Sequence, residues 1–222
     1  MRKFAAAAVA ALLIGAPFSV RADDATGKED GRVGEPPALA ATPDATQPGT
    51  REALQSAPAL SRDQQLDALF KTLKDAKSDA EATAAENSIA AIWMKSGSDT
   101  VDLLMGWTED AIHEKDYPLA LDYLDRVITL KPDYVEGWNT RATVEYLDDD
   151  YGASIADIEK TLKIEPRHFG ALVGLATILR EIGQDKRSLE VFRYVYGIDP
   201  HLPHVKQAID ELTAKGADGL DG

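Results

Sequence analysis

The chain has 222 residues, 28% of them charged and 44% hydrophobic, enough for one or two globular domains. Its 24 basic and 38 acidic residues give a formal net charge of −14, which repels nucleic acid and anionic lipid headgroups and favours basic partners or plain solubility. It has no cysteine, so a disulfide framework, a thiol nucleophile and the acylated cysteine of a bacterial lipoprotein are excluded.

Residues 1–22 read MRKFAAAAVAALLIGAPFSVRA: Arg2 and Lys3, an apolar run from Phe4 to about Ala16, then Val20, Arg21 and Ala22. This is the pattern of a secretory signal peptide, and the run is shorter than the roughly 20 residues of a membrane span. The expectation is cleavage near Ala22 and no stable membrane insertion afterwards. A periplasmic location fits best, with an extracellular one as the alternative. Without the three cations of that segment the mature chain carries −17.

Residues 23–60 hold five of the eleven prolines among Gly, Ala, Thr and Asp, with no sustained apolar period. Such a segment buries too little surface to offset its chain entropy and is expected to be a disordered linker. From Ser61 the texture becomes helical. Leu66, Leu69, Phe70 and Leu73 fall on one stripe, an alanine-rich stretch follows, and Ser96-Gly97 ends it. Residues 61–97 are therefore expected to form a degenerate helix pair.

Beyond Ser98 a period is plain. LKPDYVEGW begins at Leu130, IEPRHFGAL at Ile164 and IDPHLPHV at Ile198, which places Pro132, Pro166 and Pro200 at 34-residue intervals. Aligned on these prolines, Leu104, Trp138 and Leu172 coincide, as do Thr108, Ala142 and Ala176. Ala120, Ser154 and Ser188 coincide next, then Leu124, Ile158 and Phe192. Small residues let two antiparallel helices cross closely, and large ones such as Trp138 and Phe192 fill the space between units. Proline closes the second helix of each unit. Asp116 and Asp150 are placed to cap the second helices, and Gly183 supplies the turn in the third unit.

These residues resemble the tetratricopeptide repeat, a 34-residue helix-turn-helix unit. The resemblance implies an all-α solenoid of antiparallel helix pairs. It has three units at about 101–134, 135–168 and 169–202, within a region spanning 98–214. A capping helix over 203–214 would expose Lys206, Asp210 and Glu211, and residues 215–222 would form a frayed tail. The resemblance also implies a concave surface lined by the first helix of each unit. Here that lining is Asp102, Met105 and Glu109, then Glu136, Asn139 and Thr143, then Gly170, Val173, Thr177 and Arg180. The subclass that clamps a C-terminal carboxylate uses lysines, asparagines and an arginine. This chain has Met105, Glu109, Thr140, Gly170 and Gly174 at those places, so chaperone-tail binding is not supported.

Catalytic signatures are sparse. There is no Gly-x-Ser-x-Gly elbow, Walker loop or Rossmann glycine run. His201 and His204 have ligand-like spacing, but nothing nearby completes a metal site. His113-Glu114 lacks the second histidine of a zinc-protease motif, and Asp148–Gly152 lacks the ligand pattern of a calcium loop. Arg141 and Glu145 stand where other units carry apolar or small residues, and at i,i+4 they can pair. They read as a half-buried ion pair or as a polar contact for a partner.

The expectation is a non-enzymatic scaffold without metal or cofactor. Its acidic rim and apolar centre suit an extended peptide or partner protein with basic residues and apolar anchors. The overall plan resembles periplasmic tetratricopeptide proteins of Gram-negative bacteria, notably alphaproteobacteria, and that implies a role in cell-envelope assembly or integrity. The alternatives are an accessory subunit of an envelope enzyme, a metal-dependent enzyme with a site in the groove, and a self-assembling structural protein.

Overall fold

Side chains that satisfy free backbone groups mark most helix starts in the computed structural model, which describes residues 60–218. The leader expected over 1–22 and all but the last residue of the linker expected over 23–60 lie outside the described residues. Among the described residues there are nine helices and no strand. They are α1 (Arg62–Asp75), α2 (Asp79–Trp93), α3 (Asp99–Glu114), α4 (Tyr117–Leu130) and α5 (Val135–Leu147). Then come α6 (Tyr151–Ile164), α7 (Phe169–Glu181), α8 (Asp185–Ile198) and α9 (Pro203–Asp218). The last helix passes the expected end at residue 214, so residues 215–218 of the expected tail are helical.

Ser61 and Gln64 form a reciprocal capping box at α1, and Ser78 caps α2. The expected acidic caps are present: Asp116 accepts the Leu119 N–H at 3.2 Å and Asp150 accepts the Ala153 N–H at 3.0 Å. Each turn inside a unit has one residue with a left-handed backbone: Lys115 (φ 62°), Asp149 (φ 64°) and Gly183 (φ 79°), again 34 apart. The N–H of the next residue reaches back to Ala111, Glu145 or Leu179, closing the carbonyl end of α3, α5 or α7. Glycine meets this demand without strain, whereas lysine and aspartate hold the same conformation at a steric cost.

The small residues lie where the helices cross. Thr108, Ala142, Ala176, Ala120, Ser154 and Ser188 are all buried. The Ser154 hydroxyl donates to the Ala142 carbonyl and the Ser188 hydroxyl to the Ala176 carbonyl, both at 2.7 Å. A bond from one helix to the backbone of the next sets their separation as well as satisfying a buried hydroxyl.

Apolar side chains form clusters along the stack rather than one central core, as expected of a repeat array. Ala111, Ala120, Leu124 and Val144 join the first unit to the second. Ala142, Tyr146, Ile158, Ala171 and Ile178 join the second to the third. Leu202, Val205, Ala208 and Leu212 cover the last unit at Leu172, Phe192 and Val195. Trp138 differs from its expected packing role: it is half-buried, and its indole N–H donates to the Pro132 carbonyl at 2.9 Å. It clips the start of α5 to the preceding turn.

At Gly137 the buried face of α5 approaches α4 so closely that a Cβ would lie 2.8 Å from Val127 Cγ1. Val127 is fully buried and has little room to retreat. Overpacking of this kind costs about 1–3 kcal/mol, against about 1 kcal/mol gained in helix propensity. Gly137→Ala is expected to lower stability by about 1 kcal/mol in urea denaturation, with no change of helical content.

Candidate binding site

Residues 102, 136 and 170 occupy one register of the three units, as do 105, 139 and 173, and then 109, 143 and 177. On α3 this register forms a stripe of Asp102, Met105 and Glu109; on α5 it forms Glu136, Asn139 and Thr143. The stripes meet in a cavity of about 290 Å³. Asp102, Met105, Gly106 and Glu109 of α3 line it with Glu136, Asn139 and Thr140 of α5. The turn residues Tyr134 and His168, and Phe169 and Gly170 of α7, close the far side. Ala90 and Trp93 of α2, with Met94 just beyond it, form the remaining wall.

Six expected lining residues are thus brought together: Asp102, Met105, Glu109, Glu136, Asn139 and Gly170. The other four do not line this cavity. Thr143 is buried and donates to the Asn139 carbonyl. Val173 joins the terminal cluster with Val205 and Leu212. Thr177 is buried, and Arg180 pairs with Glu211 of α9 at 3.7 Å. The terminal helix engages this end of the face at Val173 and Arg180.

Trp93 and His168 are cavity residues that carried no sequence signal. Trp93 is 2% exposed and stacks on the His168 ring at 4.2 Å, with Phe169 at 5.2 Å. The Trp93 indole N–H is buried without a hydrogen-bond partner among the described residues. His168, 3% exposed, caps α7 by accepting the Ala171 N–H on Nδ1 at 3.0 Å. Its Nε2 therefore carries the proton in the neutral ring and donates to Glu136 Oε1 at 3.1 Å. The other Glu136 oxygen accepts from the Asn139 amide at 3.0 Å.

The electrostatics converge on Tyr134. Its hydroxyl donates to the Met94 carbonyl at 3.0 Å. Burial, and then the charges of Glu136, Asp102 and Glu109, hold its phenol well above the ordinary range, with Arg62 opposing. Asp102 accepts the Ser96 hydroxyl. Glu109 is exposed, and its carboxyl is raised first by partial burial and then by Asp110. The result is a negative rim over an aromatic and thioether floor.

The polar pair Arg141 and Glu145 lies elsewhere and has two further members, Asp157 and Asp125. Arg141 makes a two-pronged bond to Asp157 of α6, Nε to Oδ2 at 2.5 Å and Nη2 to Oδ1 at 2.8 Å. Its Nη1 reaches Asp125 of α4 at 2.6 Å, Glu145 lies 3.9 Å away, and the guanidinium covers the Trp138 ring. The group ties α4, α5 and α6 together. Among the described residues no cluster of three or more His, Asp or Glu side chains is arranged to hold a metal ion, and no helix is long and apolar enough to cross a membrane.

No model of a known protein family matches the sequence. A TPR repeat-containing protein of Rhizobium etli is 44% identical over 152 residues, covering 68% of this chain and 74% of that protein. The TPR domain of Sgt2 from Aspergillus fumigatus is similar in fold, with a TM-score of 0.52 at 16% identity, covering 56% of this chain and 84% of that domain. The TPR2B domain of yeast Sti1, solved in complex with pHsp70, gives a TM-score of 0.50 at 17% identity, covering 53% and 99%.

Removing Arg141 would leave Asp157 buried and unpaired, so Arg141→Met is expected to cost about 3 kcal/mol in urea denaturation. Glu145 tests the same cluster by pH. Burial and then Asp157 raise its acid from 4.5 to about 7. The folded chain keeps a proton that the unfolded chain releases, so this stabilisation is full below 4.5 and lost as pH rises through about 7. Glu145→Gln is expected to flatten the fall in stability between about pH 5 and about pH 8.

Proposed function

The chain belongs to the tetratricopeptide repeat family, and from that premise we propose that it is a non-enzymatic, protein-binding scaffold of the bacterial periplasm. It takes an extended segment of a partner protein in the concave cavity and serves cell-envelope assembly or integrity. The observation that carries this reading is the convergence of Asp102, Glu109 and Glu136 around Tyr134, over a floor of Trp93, Met105 and Phe169. A desolvated floor beneath acidic groups suits a lysine or arginine whose alkyl stem packs while its head meets carboxylates. At about 290 Å³ the cavity is at the small end of ligand sites, with room for an anchoring side chain rather than a folded domain.

The leader-like segment at residues 1–22 supports export, and the relative in Rhizobium etli supports a Gram-negative setting. The yeast Sti1 domain, solved with pHsp70, supports a binding role for the shared fold. The positions at which the carboxylate-clamping subclass holds its ligand are different here, so the ligand chemistry is the chain's own.

A photo-crosslinking residue at Met105 in the native envelope is expected to trap one partner, whereas the same residue at the exposed Glu159 of α6 does not. Glu109→Lys is expected to lower the Met105 adduct about tenfold, because a rim charge acts chiefly on association. Identical adducts from both positions, or an adduct indifferent to Glu109→Lys, would contradict the proposal. Recovery of the adduct from the cytoplasmic fraction alone would contradict the periplasmic part.

A further inference from the structure

The first two helices do not share a core with α3, as a stacked preceding unit would. Leu66, Phe70 and Leu73 of α1 cluster with Ala82, Ala85, Ile89 and Trp93 of α2. That cluster closes on Val135, Phe169 and Ile198, helix-end residues beside the turns that follow α4, α6 and α8. Polar contacts fall on the same turns. Tyr134 bonds the Met94 carbonyl at the first. At the second, Asp67 pairs with Arg167 at 2.7 Å and the Arg167 guanidinium lies 4.3 Å from the Phe70 ring centre. At the third, Asp79 meets His201 at 3.2 Å.

The third turn also holds a contact that needs a proton. Asp199 is fully buried; one oxygen accepts the His201 N–H at 2.9 Å, and Oδ2 has no partner among the described residues. Glu86 of α2 faces Asp199, carboxyl to carboxyl. Two carboxylates have no donor between them, so one must carry a proton to make the bond. A protonated Glu86 supplies the donor that Asp199 lacks. An ionised one sets two like charges together at a buried site.

We propose that α1 and α2 form a proton-dependent clasp, docked across the three turns while Glu86 donates a proton to Asp199 and released from the third turn when that proton leaves. The C-terminal end of α2, which forms one wall of the cavity, is held at the first and second turns. The clasp stands whether or not a peptide binds there.

Three further ionisable groups surround the contact: Asp79, His201 and His204. Burial and then Asp199 raise Glu86 from 4.5 to about 7, with Asp79 adding and His201 opposing. The docking contribution is therefore full below 4.5 and is lost as pH rises through about 7. His201, raised by its bond to Asp79, acts in the same direction, since its charged form favours the docked pair. His204 of α9, lowered by burial with Asp199 opposing, works against docking as the pH falls.

The absence of native cysteine allows spin labels at Lys71→Cys on α1 and Glu190→Cys on α8, both exposed positions. Double electron–electron resonance on the full chain is expected to give one narrow distance at about pH 5. A longer, broader population should grow to the majority by about pH 8.5 while circular dichroism shows the helices intact. Glu86→Gln keeps a donor for Asp199 and cannot ionise, so it is expected to hold the short distance at every pH. A wild-type distance unchanged across the range overturns the proposal. So does a Glu86→Gln chain that moves as the wild type does, or a distance change that accompanies loss of helix.

Discussion

Each repeat ends where a proline removes the backbone donor that another helical turn requires, and the rest of the molecule is organised around the turn that results. Lys131, Glu165 and Asp199 cap α4, α6 and α8 through N–H bonds to Val127, Thr161 and Val195. Three residues after each cap, one buried side chain occupies the same register: Tyr134, His168 or Leu202. The backbone demand is constant and the chemistry is not. The tyrosine bonds the end of α2, the histidine joins Ala171, Glu136 and Trp93, and the leucine enters the terminal core. One repeated turn thus supplies a tether, a cavity wall and a cap.

The acidity of the chain is not only a surface property. Glu86, Glu109 and Glu145 each have a raised acid, and burial is the leading cause in every case. Glu86 and Glu145 each face an aspartate that the fold also buries, Asp199 or Asp157. The response differs by place. Arg141 compensates Asp157 with a two-pronged bond, whereas among the described residues Asp199 Oδ2 meets no cation and a proton takes that role. The same composition therefore gives a fixed ionic joint between α4, α5 and α6 and a titratable contact where α2 meets the third turn.

The repeat and its internal logic were legible because they are local. Proline spacing, the acidic caps at Asp116 and Asp150 and the small residues at helix crossings follow from backbone and steric rules within 34 residues. Register also brought out Asp102, Met105, Glu109, Glu136 and Asn139 as one surface. Register names a face, however, and not what covers it, so Val173 and Arg180 were legible as lining while their engagement by α9 was not. Trp93 and His168 meet across 75 positions in sequence, and the weak period of residues 79–93 gave no hint of that contact. Asp157 lies on a different helix from Arg141, so an i,i+4 rule found only Glu145.

The dependence of α1 and α2 on the turns between repeats is tested most directly by amide hydrogen exchange on the full chain and on its Phe169→Ala variant. Protection in α1 and α2 is predicted to fall by about tenfold or more while protection in α5 and α6 is retained, the signature of one unit opening by itself. Unchanged protection in α1 and α2, or an equal loss in α5 and α6, would show that the pair is not held by those turns.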